Sequence, residues 1–113
     1  MLKDKKKKAE KNQGNITKTQ PNIINSRFPV FHPRFREDLA WWYRTDKTKA
    51  NKILDLIEAI IKSPLEGIGK PEPLKFLDSD TWSRRIDLEH RLVYRVTAER
   101  IDFLQARYHY QKQ

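Results

Sequence analysis

Three prolines and two glycines fall between Ser63 and Lys75, at Pro64, Gly67, Gly69, Pro71 and Pro73, and they divide this chain into two unlike halves. Turn chemistry of that density reads as a long, stiff loop without regular structure. Before the break, apolar residues recur with helical spacing. After it they alternate with polar ones, the pattern of half-buried strands.

The helical half begins with a short alternating stretch, Arg27 to His32, in which Pro29 lacks the donor that a central ladder position needs, so an edge strand is expected. Pro33 suits the first turn of a helix, and Phe35, Leu39 and Trp42 then recur on one face until about Arg44. Thr45 is placed to cap a second helix with Asp46 in its first turn, and Ala50, Ile53, Leu54, Ile57 and Ile61 form its core-facing stripe up to Pro64. Two helices with almost no loop between them predict an antiparallel pair lying on one face of a sheet.

Three strands are expected in the other half, about Thr81 to Asp87, His90 to Thr97 and Arg100 to Tyr108, joined tightly at Leu88-Glu89 and Ala98-Glu99. The order βααβββ describes an α+β domain, a small antiparallel sheet with two amino-terminal helices packed on one face. The 113 residues include no cysteine and no long apolar run, which fits one small cytoplasmic domain without disulfides or a membrane span. The amino terminus also lacks the apolar stretch of a secretory signal.

Formal net charge is +9, and residues 1–28 carry eight Lys or Arg against two acids. Residues 1–26 therefore read as a disordered basic leader, too poor in apolar side chains to offset the entropy of ordering. A flexible polycation of this kind also adds salt-sensitive attraction to RNA. The domain proper is expected over residues 27–110, followed by a short extension at residues 111–113.

Strict alternation places Arg91, Val93 and Arg95 on one face of the middle strand and Leu92, Tyr94 and Val96 on the face toward the helices. Arg91 then points to the uncovered side, where a polyanion could lie. Neighbouring Arg84 and Arg85 separate likewise: Arg84 aligns with Trp82 and Ile86 and supports the fold, whereas Arg85 belongs to the open face. At the end of the last strand Arg107 and His109 share a face and Tyr108 and Tyr110 the other, and His109 beside Arg107 is the imidazole best placed to move a proton. His90, in a turn, reads as a local hydrogen-bonding group, and His32 carries no special signal. Neither has the spacing of a metal site, and no cofactor is expected. Glu72, stiffened between Pro71 and Pro73, is a carboxylate held for aiming, with Lys75 close enough to meet a phosphate. Guanidinium, imidazole, carboxylate and aromatic groups together suit cutting RNA.

Gly69 to Lys75 (Gly-Lys-Pro-Glu-Pro-Leu-Lys), Trp82 to Tyr94 and Arg107 to Tyr110, in that order and behind a helix pair, resemble the YoeB/Txe branch of the RelE/ParE toxin superfamily over roughly residues 28–110. The resemblance implies a RelE-like fold and a bacterial type II toxin, an endoribonuclease that enters the ribosomal A site and cleaves the mRNA being translated. It implies a YefM-like antitoxin as partner and is compatible with a homodimer. It assigns catalysis to Glu72, Arg91, His109 and Tyr110, with Lys75, Arg85 and Arg107 as basic residues for the RNA. The superfamily leaves two other readings open: a ParE-like toxin that binds gyrase without catalysis, and a basic RNA- or ribosome-binding protein.

Overall fold

The computed structural model describes residues 26–77 and 80–108. The leader, apart from Ser26, and the extension at residues 111–113 lie outside the described residues, as do His109 and Tyr110. Strand β1 (Phe28–Phe31) leads into helices α1 (Pro33–Thr45) and α2 (Lys47–Lys62), and then come strands β2 (Glu72–Pro73), β3 (Thr81–Arg85), β4 (Arg91–Val96) and β5 (Arg100–Gln105). The strands form one five-stranded sheet in the order β1-β5-β4-β3-β2.

Helix α1 starts on Pro33 and buries Phe35, Asp38 and Trp42, with Leu39 packed partly beside them. The cap of α2 is Asp46 and not Thr45. Thr45 completes α1, its hydroxyl turned back to the Trp41 carbonyl, which leaves the extended Asp46 to accept the N–H groups of Thr48 at 3.1 Å and Lys49 at 3.3 Å. The buried stripe of α2 is Ala50, Ile53, Leu56 and Ile60, with Ile57 and Ile61 at its margin. Leu54, expected inside, is 42% exposed. Aliphatic residues cover so much of this helix that its pattern permits several rotations, and docking on the sheet selects the one centred on Ile53 and Leu56.

The sheet is mixed and not wholly antiparallel, because β1 runs parallel to β5, Phe28 opposite Arg100 and Phe31 opposite Phe103. The N–H groups of Phe28 and His32 reach the carbonyls of Glu99 and Phe103. Residues of the other parity face outward, so Pro29 sits where its missing donor costs no ladder bond. The expected edge position holds. Between the helices and the sheet lies a core of Phe35, Trp42, Ile53, Leu56, Ile60, Leu92, Tyr94, Ile101 and Phe103 with their neighbours.

Inside that core sits a charged residue. Arg84 is fully buried, and its guanidinium donates to the carbonyls of Ile68 (3.1 Å), Ser63 (2.6 Å) and Glu66 (3.0 Å) and to the Tyr94 hydroxyl (3.2 Å). Tyr94 in turn donates to the Pro64 carbonyl at 2.6 Å. The loop after α2 is thus wrapped around one side chain, with no carboxylate among its bonded partners. Gly67, at φ +128°, passes so close that an added Cβ would stand 3.0 Å from Arg84 Nη1. No described helix is long and apolar enough to cross a membrane.

Candidate active site

The loop anchored by Arg84 does not stay irregular up to Lys75, as its composition suggested. The Gly69 carbonyl accepts the Arg85 N–H at 2.7 Å, and Glu72–Pro73 then pairs antiparallel with β3, Glu72 opposite Ser83 and Pro73 opposite Trp82. Prolines on both sides of Glu72 favour extended backbone, and an outermost strand tolerates the donor that Pro73 lacks. The carboxylate therefore stands on the sheet itself.

Directly opposed residues in an antiparallel pair share a face. Ser83 opposes Val93 and Arg85 opposes Arg91, so Glu72, Ser83, Arg85, Val93 and Arg91 all belong to the side away from the helices. A cleft of about 590 Å³ lies there, lined by Glu72, Pro73, Leu74, Lys75, Phe76, Ser83 and Arg91. The expected carboxylate, ammonium and guanidinium meet in it. Arg85 neighbours Arg91 across the ladder but does not line the cleft. Ser83, nearly buried at its floor, and Phe76, half exposed at its wall, escaped the reading of residue types. The alternation that places Arg85 on the open face also places Ser83 there.

Arg91 follows a turn built by Asp87, whose Oδ1 accepts the N–H groups of Glu89 at 2.9 Å and His90 at 2.7 Å while Oδ2 pairs with Lys49 at 3.1 Å. Burial raises the Asp87 pKa, but those donors outweigh it and hold the carboxyl below its usual range. Arg91 Nη1 donates to the carbonyls of Asp87 (2.9 Å) and His90 (3.2 Å), fixing one arm of the fork. Its Nε and Nη2 have no partner among the described residues.

On the same face, nearer β1, Asp102 lies fully buried between Arg95, bonded at 2.9 Å, and Arg100, whose Nε is 2.9 Å from Oδ1 but off the direction of a hydrogen bond. Burial raises the Asp102 pKa, and the two guanidiniums more than reverse it, so the carboxyl sits below its ordinary range. This group braces the sheet.

Arg107 is not where alternation put it. The ladder between β4 and β5 is bulged at Val93/Tyr94, and β5 ends at Gln105, so strict period 2 does not extend to Arg107. Its guanidinium lies 3.7 Å from the Trp41 ring centroid on α1, away from the cleft. His90 has the bonding role expected of it, with a more distant partner: Nδ1 accepts the N–H of Tyr108 at 2.7 Å. The expected positions of His109 and Tyr110 lie outside the described residues. Their predecessor Tyr108 gives its carbonyl to the Arg91 N–H at 3.0 Å.

Comparison with known proteins gives one consistent result. The model of the family described as YoeB-like toxin of bacterial type II toxin-antitoxin system matches residues 31–110. Toxin YoeB of Mycobacterium bovis is 50% identical over 80 residues, 71% of this chain and 94% of that protein. Toxin YoeB of Escherichia coli K12 is 50% identical over 74 residues, 66% of this chain and 88% of its own length. Among solved structures, a YoeB/ParE toxin from Agrobacterium tumefaciens superposes with a TM-score of 0.69 at 42% identity, covering 74% of this chain and 99% of that one. A YoeB-YefM complex from Staphylococcus aureus gives 0.65 at 40% identity, with 74% and 98% covered. The family match spans the helix pair, the cleft and strands β2 to β5, and the chain belongs to the YoeB-like toxins of bacterial type II toxin-antitoxin systems.

Proposed function

We propose that the chain is a ribosome-dependent endoribonuclease that enters the A site, cleaves the mRNA being translated and so stops translation. One observation carries the reading: the β2-β3-β4 register sets Glu72, Arg85 and Arg91 on a single open face, with Lys75 on the wall of the same cleft.

Glu72 takes the proton of a ribose 2′-hydroxyl, and the resulting alkoxide attacks the adjacent phosphorus. Arg91, with Arg85 and Lys75, carries the charge that builds on the phosphate oxygens. The bond to the 5′-oxygen breaks, and His109 protonates that oxygen while Tyr110 orients the RNA. The products are a 2′,3′-cyclic phosphate and a 5′-hydroxyl, formed by acid-base chemistry from side chains alone. DNA, without a 2′-hydroxyl, is not cut. A ribosome completes this site by presenting one unstacked stretch of mRNA to an open cleft.

The partner that silences the toxin is a YefM-like antitoxin, a reading supported by the YoeB-YefM complexes of Staphylococcus aureus, where a YoeB dimer also occurs. Brief induction followed by mapping of mRNA 5′ ends tests the activity. Cuts bearing 5′-hydroxyls should fall inside translated reading frames and vanish when the start codon of a reporter is removed. Intact mRNA, or DNA damage in its place, overturns the reading in favour of a binder or a gyrase poison.

A further inference from the structure

The last described residues are held at several points, although Arg107 Nε is buried without a hydrogen-bond partner among the described residues. Ala106 donates to Asp38 Oδ2 at 2.9 Å and accepts from Trp42 Nε1 at 2.7 Å, both on α1. The Arg107 carbonyl accepts from Gln105 Nε2 at 3.0 Å, and the Arg107 guanidinium lies on the Trp41 ring while Nη2 donates to the Tyr108 hydroxyl at 2.8 Å. Tyr108 donates its N–H to His90 Nδ1 at 2.7 Å and accepts from the Arg91 N–H at 3.0 Å.

Tyr108 also has φ +60°, a left-handed conformation that aromatic residues seldom adopt and that persists only where the surroundings enforce it. The enforcing groups are His90 and Arg91, neighbours at the start of β4. His90 is itself fixed, with its own N–H on Asp87 Oδ1 at 2.7 Å and its ring edge-to-face with Trp42 at 5.0 Å and tilted against Tyr108 at 5.5 Å. Because Nδ1 accepts, the ring's proton resides on Nε2. Nε2 stands 3.8 Å from Glu89 Oε1, too far for a hydrogen bond.

We propose that His90 is a positioning residue for the reaction: by accepting the Tyr108 N–H it fixes, beside Arg91, the residue to which His109 is joined in the chain. This rests on the nuclease reading above. Successive Cα atoms are about 3.8 Å apart, so a residue that locks Tyr108 governs where its successor starts. A misplacement of about 1 Å in a reacting group costs about 10²-fold in rate. His90 contacts no substrate in this scheme; it acts through Tyr108.

Two neutral substitutions separate this role from mere packing. The amide oxygen of asparagine is as many bonds from Cα as Nδ1 is, so His90→Asn keeps the acceptor. His90→Gln moves it one bond further out. Both are assayed for cleavage of mRNA on translating ribosomes, and their Tyr108 amides are followed by hydrogen exchange. His90→Asn is expected to keep kcat near the wild-type value. His90→Gln is expected to lose about 10²-fold in kcat at unchanged KM, and to lose protection of the Tyr108 amide. Wild-type kcat in His90→Gln, or an equal loss in both variants, overturns the proposal. If the wild-type protein leaves mRNA uncut, the nuclease reading is what fails. The His90 tie is then judged by exchange alone, and equal Tyr108 protection in all three proteins overturns it.

Discussion

Arg84 Nη2 meets the carbonyl oxygen of Ser63 at 2.6 Å, across 21 residues of chain, and this contact fastens the end of α2 to the strand next to the cleft. The same guanidinium holds the carbonyls of Glu66 and Ile68, so a single side chain sets the path leading to Glu72. Arg84→Met retains most of the apolar stem but strands three carbonyls, and a loss of about 3–5 kcal/mol is expected. Tyr94→Phe removes only the hydroxyl bridging Arg84 and Pro64 and is expected to cost about 1–3 kcal/mol. Urea midpoints with unchanged slope check both.

Asp102 makes a prediction with a sign. Its pKa is lowered from the ordinary 3.8, since Arg95 and Arg100 outweigh the opposing effect of burial. A depressed carboxyl stabilises the fold fully above its unfolded pKa and loses that contribution as pH falls through the folded one. Wild type should therefore exceed Asp102→Asn in stability at pH 7. The gap should be about 1.5–3 kcal/mol, toward the lower figure because Arg95 and Arg100 are 36% and 52% exposed. It should hold its pH 7 value down to about pH 5 and then shrink progressively as pH falls through 3.8 and below. Thermal melts of both proteins from pH 2 to 7 decide it; a gap that widens on acidification contradicts the assignment.

Asp46 caps α2 with two backbone hydrogen bonds at an exposed helix start. Asp46→Ala should cost about 1 kcal/mol, and Thr45→Ala less, since the Thr45 hydroxyl serves α1. The reverse order in chemical denaturation would return the cap to Thr45.

Period 2 carried the reading of β3 and β4 well, because one face of each strand is buried: Arg84 lies in the core and Arg85 outside it, and Leu92 and Tyr94 face the helices while Arg91 faces the cleft. Where burial on one side is not the constraint, the pattern carried less. Leu54 shows that an aliphatic surplus conceals which way a helix turns. Glu72 shows that prolines read as loop also suit an edge strand, since partner choice depends on a strand some ten residues away. The parallel pairing of β1 follows from how the helix pair returns the chain, and Arg107 from a bulge and a strand end; neither has a local signature. The convergence of Glu72 and Arg91 is a matter of register between strands, beyond what spacing along one chain expresses.

Arg91 offers the sharpest test of the cleft. Nη1 is tied to the carbonyls of the Asp87–His90 turn, and the rest of the planar fork, without a partner among the described residues, would meet the phosphate in the proposed reaction. Lysine supplies charge but neither the fork nor the turn contacts, so Arg91→Lys should behave more like Arg91→Ala than like wild type. A loss of about 10²–10³ in kcat is expected for alanine, as for removal of a preorganised donor to a developing oxyanion. Glu72→Gln, nearly isosteric but unable to accept a proton, should cost about 10²–10⁴. Glu72 and Arg91 are outside the buried core, so all three variants should melt within a few degrees of wild type and still bind antitoxin. Primer extension on translated mRNA measures the rates. Full activity in Arg91→Lys would mean that charge alone suffices at this position, and full activity in Glu72→Gln would remove the carboxylate from the reaction.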